Sequence, residues 1–137
     1  MSSKSKGTRY ERELLHMLWS KGFAVTRSAG SGSITIPNPD LLVGKNKRYL
    51  AIECKSLNKG SKFFPKEEIS ELTEFSKRFC AEPWLAMRFD REGWYFIQPK
   101  HLNKSQNGNF SISLKELKQS NRCLMFDELC ESINKSK

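Results

Sequence analysis

The segment 48–55, RYLAIECK, is the part of the sequence that most constrains the fold. Its alternation predicts a β-strand with Leu50, Ile52 and Cys54 on one face. Glu53 and Lys55 then lie side by side on the other face, roughly 7 Å apart along the strand. One interpretation is a strand that runs out into solvent with an exposed ion pair, which would add little stability. The other is a site that uses an acid and a base together.

The rest of the pattern alternates between helical and extended segments. An apolar stripe at helical spacing predicts a helix over Thr8–Lys21, and a second stripe predicts one over Pro65–Cys80, with Pro65 at its first position. The other predicted elements are strands at Phe23–Arg27, Asp40–Val43, Trp84–Phe89 and Trp94–Gln98, a weaker strand at Phe110–Ile112 and a weaker helix at Phe126–Ile133. This order predicts a single α/β domain over residues 1–137, in which helices flank a central mixed sheet. Residues 1–6 are expected to form a flexible basic arm.

The charge of the chain restricts its partners. Its 137 residues include 24 Lys+Arg against 15 Asp+Glu, which gives a formal net charge of +9. Such an excess on a small domain favours a polyanionic partner, nucleic acid first, over a generic basic surface. The four cysteines lack zinc spacing and are interpreted as reduced thiols in a cytoplasmic protein. No apolar run is long enough for a membrane span, and no secretory signal is recognised.

Asp40 makes the catalytic interpretation of Glu53 and Lys55 the stronger one. It lies thirteen residues before Glu53, at the start of the preceding predicted strand, so a hairpin would bring the two carboxylates together. Paired carboxylates repel each other unless a cation lies between them, and hard oxygen ligands favour Mg²⁺. The Cys54 carbonyl offers another oxygen, and Lys55 would orient or help deprotonate a water. These are the components of phosphodiester hydrolysis.

Two further features support that interpretation. Glu11 lies on the edge of the buried stripe of the first helix, where it would hold a second metal or form a salt bridge with a nearby arginine; the pattern leaves both open. Glu13 is predicted to face solvent. The loop Arg27–Ser33, RSAGSGS, has the glycines and hydroxyls of a phosphate-binding loop, although a surface loop would look the same.

The combination of these motifs resembles the archaeal Holliday junction resolvases. The resemblance rests on GTRYERELL (7–15), GFAV (22–25), RSAGS (27–31), Pro39-Asp40, YLAIECK (49–55) and EFSKRF (74–79), and it covers roughly residues 4–98. It implies a type II restriction-endonuclease-like fold and a homodimer that cuts four-way DNA junctions symmetrically in recombination and repair. It also implies Mg²⁺ as cofactor, with Mn²⁺ as the expected substitute, and other recombination proteins as further candidate partners.

The resemblance also implies roles for individual residues. The matching positions make Glu11, Asp40 and Glu53 the metal-binding acids, Lys55 the catalytic lysine and Ser31 a loop serine needed for cleavage. Arg12 and Arg27 match basic residues near the site, and Phe75 and Phe79 match aromatics at a dimer interface. The segment 32–39 is longer than in some members of the family, so junction preference is not carried over.

A wider set of basic residues is expected to bind backbone phosphates without reading sequence. They are Lys4, Lys6, Arg9, Lys45, Lys47, Arg48, Lys59 and Lys62. Two alternatives to a junction endonuclease stay open at this point. One is a nuclease of the same fold that acts on another DNA substrate, and the other is a DNA-binding module without activity.

Overall fold

The computed structural model describes residues 3–28, 35–57 and 60–135. The helices are α1 (Ser3–Ser20), α2 (Lys66–Phe79), α3 (Leu114–Gln119) and α4 (Phe126–Asn134). The strands are β1 (Ala24–Arg27), β2 (Leu41–Lys45), β3 (Arg48–Leu57), β4 (Ser61–Phe64), β5 (Glu82–Phe89), β6 (Gly93–Ile97), β7 (Asn103–Lys104), β8 (Phe110–Ser113) and β9 (Leu124–Met125). No helix among these described ranges is both long enough and apolar enough to cross a membrane.

β3 lies inside a six-stranded mixed sheet with the order β1-β2-β3-β5-β6-β9. It pairs with β2 in antiparallel fashion and with β5 in parallel fashion, while the other pairs of this sheet are antiparallel. A parallel pair needs a crossover connection, and the segment between β3 and β5 contains α2. The predicted α/β class with a central mixed sheet is therefore confirmed.

Both faces of the sheet are covered, and β3 contributes to both cores. Leu50 and Ile52 pack in one core with α1 and α4. Ala51 packs in the other core with α2, β8 and α3, and none of the three residues is exposed to solvent. A strand that is buried on both faces carries apolar side chains at successive positions, as 50–52 does. The residues on both sides of this buried centre are partly or largely exposed, and Glu53 and Lys55 belong to the half that follows it.

The helix α2 is one residue shorter at each end than the predicted range Pro65–Cys80, so Pro65 is its N-cap and not its first helical residue. Pro65 precedes its first residue, and Glu67 and Glu68 lie in the first turn, where the helix dipole favours negative charge. Its C-cap is Cys80, which adopts a left-handed conformation with φ of 62°. Ile69 and Leu72 are buried against the sheet, so this helix is firmly attached.

Two segments differ from the prediction. The helix α1 begins at Ser3 instead of Thr8, so residues 3–6, predicted as an arm, belong to a helix; Gly7 is tolerated within it, because one glycine costs only about 1 kcal/mol. The segment Ser61–Phe64, for which the sequence predicted no strand, is β4. It pairs with β8, and β8 with β7, in a second three-stranded sheet. Strands this short lack a readable alternation.

Glu13 does not simply face solvent as predicted. Its Oε1 accepts hydrogen bonds from Arg88 Nε at 2.9 Å and from Trp94 Nε1 at 2.8 Å. The Arg88 guanidinium also lies over the Tyr10 ring, 4.2 Å from its centroid. Glu13 therefore attaches α1 to the β5–β6 hairpin and so helps to fix the helix that also carries Glu11.

We expect Glu13→Ala to lower the free energy of unfolding by about 1–2 kcal/mol, because Trp94 and Arg88 would lose their acceptor. Urea denaturation measures this change. Lys118→Ala is the control, since Lys118 and Glu92 form a more exposed pair on the surface, which contributes little to stability. Equal effects of the two substitutions would contradict the proposed attachment.

Candidate active site

Asp40 and Glu53 meet at the end of the β2–β3 hairpin. The register pairs Leu41 with Ile52, which places the preceding and following residues side by side. The Asp40 amide donates a hydrogen bond to Glu53 Oε1 at 3.1 Å, and the Cys54 amide donates one to Asp40 Oδ2 at 2.8 Å. These reciprocal bonds hold the two carboxylates together.

Ser28 holds the backbone that leads into Asp40. Its amide donates a hydrogen bond to the Asp40 carbonyl at 3.0 Å, and its hydroxyl donates one to the Pro39 carbonyl at 2.7 Å. These contacts extend the β1–β2 pairing beyond the last strand residues. Sequence reasoning did not single out Ser28, because its partners are eleven and twelve residues away.

The surroundings of Asp40 and Glu53 disfavour the ionised form of both carboxyl groups. Burial, and then the charge of Asp40, raise the pKa of Glu53 from 4.5 to about 8. Burial also raises the pKa of Asp40, although the hydrogen bond from Cys54 opposes that change. Two half-buried carboxylates that resist ionisation are what a cation would stabilise.

Glu11 approaches the same site from α1. Burial raises its pKa first, and the charge of Asp40 raises it further, which places the two carboxylates within electrostatic reach. Arg27 Nε lies 3.5 Å from Glu11 Oε1, so the predicted salt bridge is present as well. That Nε is buried and has no hydrogen-bond partner among the described residues. The pairing is therefore loose, and it leaves the Glu11 carboxylate near Asp40.

Lys55 forms an ion pair with Glu68 of α2, a residue to which the sequence pattern gave no role in the site. Burial lowers the pKa of Lys55, but the hydrogen bond to Glu68 and the nearby charges of Glu53 and Asp40 outweigh it and raise the pKa overall. Lys55 is thus held as a cation, which favours orienting and charge-stabilising roles over that of a base. Only the tertiary approach of α2 to β3 reveals Glu68.

The donor set fits a divalent cation. Asp40, Glu53 and Glu11 supply hard carboxylate oxygens, and burial raises the pKa of all three, an effect that a bound cation would oppose. Within the described ranges, no three acidic, thiol or imidazole groups are already gathered as a complete ligand set. The carboxylates of Asp40 and Glu53 instead accept hydrogen bonds from backbone amides.

A cleft opens beside the carboxylates, between α2 and the segment before Asp40. Glu53 forms one wall, so a molecule in this cleft would contact the acidic pair. The other lining residues are Pro37, Asn38, Pro39, Glu68, Glu71, Leu72 and Phe75. The predicted site therefore has an approach from solvent.

The basic residues predicted to bind DNA divide into two groups. Arg27 lies beside Glu11, while Arg9 and Arg12 are exposed on α1. By contrast, Lys45, Lys47 and Arg48 lie at the opposite end of the hairpin, about 16 Å from Glu53 at the rise of a β-strand.

Two members of that distant group already have partners within the protein. Lys45 Nζ donates a hydrogen bond to the Lys21 carbonyl at 2.7 Å, and Arg48 pairs with Glu82 at 2.6 Å. Lys62 lies on β4, with its Nζ over the Phe64 ring. Ser31 and Lys59 lie outside the described residues, as do the side chains of Lys4 and Lys6.

The two aromatics predicted for a dimer interface stack on each other on α2. The ring centroids of Phe75 and Phe79 are 5.6 Å apart. Phe75 packs partly against the core, whereas Phe79 is 49% exposed. One of the two is therefore available to a partner.

Comparisons with known proteins agree with this geometry. A family model described as archaeal Holliday junction resolvase (Hjc) matches residues 2–136. The crossover junction endodeoxyribonuclease Hjc of Archaeoglobus fulgidus is 40% identical over 109 residues, which cover 80% of this chain and 79% of that protein. The Hjc protein of Sulfolobus acidocaldarius is 34% identical and covers 97% of this chain and 92% of its own length. The solved structure of A. fulgidus Hjc, a Holliday junction resolvase, superimposes with a TM-score of 0.82 at 34% identity, over 90% of this chain and 99% of that one.

The raised pKa of Glu53 predicts that the free energy of unfolding of the metal-free protein decreases at alkaline pH. Folding stabilises the protonated form of Glu53, so this contribution is complete below pH 4.5 and is lost as the pH rises through about 8. We expect Glu53→Gln to be more stable than wild type by about 0.5–2 kcal/mol in EDTA near pH 9. Urea denaturation at several pH values measures the difference.

Glu67→Gln is the control for that measurement, because Glu67 is exposed on the first turn of α2. We expect it to lack the gain in stability over wild type that Glu53→Gln shows near pH 9, because the favourable contact of Glu67 with the helix dipole is lost. A Glu53→Gln curve that stays parallel to that of wild type from acid to alkaline pH would show that Glu53 does not titrate abnormally.

Proposed function

The chain belongs to the archaeal Holliday junction resolvase family, and we propose that it is an Mg²⁺-dependent endonuclease that resolves four-way DNA junctions by paired symmetric nicks. The observation that carries this proposal is the convergence of Asp40, Glu53 and the cationic Lys55 at the end of β3. Family membership supports a divalent metal in general. The oxygen-only donor set supports Mg²⁺ in particular, with Mn²⁺ as a substitute.

The residues of the site divide the work of phosphodiester hydrolysis. Asp40, Glu53 and Glu11 would hold the metal, which when bound would activate a water and neutralise charge on the scissile phosphate. Lys55, as a cation beside them, would stabilise the negative charge that develops on the phosphate oxygens during attack. Arg27 near Glu11 would bind an adjacent phosphate.

We propose that the DNA is held mainly through its backbone. The net charge of +9 supports binding to phosphates, and Arg9 and Arg12 on α1 are exposed on the helix that carries Glu11. Ser31 and Lys59 remain proposed contacts. Lys47 and Lys62 would contact DNA phosphates at a distance from the cut site. Because phosphate contacts carry no sequence information, recognition would depend on the shape of the junction and not on base sequence.

We further propose that the protein acts as a homodimer through Phe75 and Phe79. The exposed ring of Phe79 is stacked on a ring that reaches the core, which gives a rigid apolar anchor for a second copy. A two-fold dimer presents two identical sites to a junction of approximate two-fold symmetry. The mutual arrangement of the sites would then allow paired nicks.

We expect Asp40→Asn to reduce the rate of junction cleavage by at least about 10³-fold while junction affinity changes little, because the variant loses a metal ligand but no phosphate contact. A labelled synthetic four-way junction with Mg²⁺ provides the assay, and EDTA should abolish wild-type cleavage. Electrophoretic mobility shift of the same junction measures binding.

A linear duplex of matching sequence is the control substrate for that assay. Cleavage of both substrates would indicate a nuclease of the same fold with another substrate. Binding without cleavage in Mg²⁺ or Mn²⁺ would indicate a DNA-binding module. An Asp40→Asn variant that cuts at the wild-type rate would contradict the assignment of the active site.

For the dimer, we expect Phe79→Asp to halve the molar mass measured by light scattering at micromolar concentration, because a charge would be buried in the apolar contact. Trp19→Asp is the matched control. Trp19 is 64% exposed on α1, which packs on the opposite face of the sheet from α2. A dimer that persists in Phe79→Asp, or dissociates in Trp19→Asp, would place the interface elsewhere.

A further inference from the structure

The position of the Lys55 ammonium depends on a residue outside the acidic hairpin. Lys55 lies near the end of β3, and about a quarter of its side-chain surface is exposed. Its closest charged contact is the carboxylate of Glu68 on α2, and not Asp40 or Glu53 on its own hairpin. The lysine is thus directed by α2, whose residue Glu68 also lines the cleft.

Glu68 is itself held firmly. It is the third residue of α2, and its amide donates a hydrogen bond to the Pro65 carbonyl at 3.1 Å. The next residue, Ile69, is buried, and so is Leu72 one turn later, so the first turn of the helix cannot move independently of the core. Only 25% of the Glu68 side chain is exposed.

The placement of Glu68 is costly in electrostatic terms. Its charge raises the pKa of both Asp40 and Glu53, which burial has already raised. A partly exposed ion pair contributes little to stability. A fourth carboxylate at a site already overloaded with negative charge therefore needs a reason other than the stability of the fold.

We propose that Glu68 is a positioning residue for the reaction, which it serves by holding the Lys55 ammonium away from the metal-binding carboxylates and in line with the cleft. This inference rests on the proposed function. Lysine has a flexible stem and a compact charge, so without Glu68 the ammonium would pair directly with Glu53 or Asp40. That pairing would occupy the oxygens needed for the metal and remove the cation from the phosphate.

The test compares Glu68→Ala, Glu68→Gln and the control Glu67→Gln, which removes a charge from the same helical turn. Single-turnover cleavage of a four-way junction is measured at saturating Mg²⁺, together with junction affinity. We expect Glu68→Ala to cut about 10- to 100-fold more slowly, because small displacements of a reacting group have effects of this size. Glu68→Gln should recover part of the rate, since its amide oxygen still accepts from the ammonium.

Junction affinity should change by less than about twofold in every variant, as should the rate of Glu67→Gln, because neither depends on the Lys55 contact. A purely structural role for Glu68 would instead lower affinity and thermal stability together and would not distinguish glutamine from alanine. Equal rates for wild type and Glu68→Ala would also overturn the positioning role. Glu68→Gln preserves shape and stays informative if Glu68→Ala is unstable.

A second measurement tests the position of Lys55 without any cleavage. Mg²⁺ affinity, measured by isothermal titration calorimetry, should fall several-fold in Glu68→Ala and less in Glu68→Gln, because the released ammonium would compete with the metal for Asp40 and Glu53 only when no acceptor remains at position 68. Equal affinities for wild type and Glu68→Ala would refute the positioning role. A wild-type protein that cuts no DNA would refute the proposed function, whereas wild-type cleavage with an unaffected Glu68→Ala would refute only this inference.

Discussion

The reciprocal hydrogen bonds between Asp40 and the backbone and side chain at 53–54 are the contact on which the rest of the site depends. They bring the carboxylate of Asp40, which directly precedes β2, close to that of Glu53 on β3, although both groups are partly buried. The antiparallel register of the hairpin sets their positions, and the two contacts of Ser28 keep the chain from leaving the sheet too early. Every other charged group of the site is arranged around this pair.

Burial of these two carboxyl groups lowers the stability of the metal-free fold. Burial makes ionisation of Glu53 and Asp40 unfavourable, so the metal-free protein carries local strain that the surrounding structure must offset. The offset comes from the centre of β3, where Leu50, Ala51 and Ile52 are fully buried between two cores. One strand therefore combines fully buried apolar residues with a carboxyl group that resists ionisation, within a few positions.

What could be predicted from sequence follows from the range of the interactions involved. The alternation of β3, the apolar stripe of α2 and the meeting of Asp40 with Glu53 are local or hairpin features, and the pattern of residues indicates them directly. Glu68 and Glu13 were missed or misplaced because their partners belong to elements brought together only by the β3–α2–β5 crossover and by the packing of α1. Lys45 and Arg48 stay predicted DNA contacts, and their partners within the protein, the Lys21 carbonyl and Glu82, could not be predicted because they belong to other elements.

The helix α2 places two different features on one rigid body. Glu68 lies in its first turn, and Phe79 is its last residue, about 16 Å further along at 1.5 Å per residue. In the proposed dimer, the length of this helix and the angle at which its two copies cross would set the distance between the two active sites. Insertion of a single residue would rotate the aromatic end by about 100° relative to the lysine-holding end, so the geometry of paired cutting would be encoded in the number of residues in one helix.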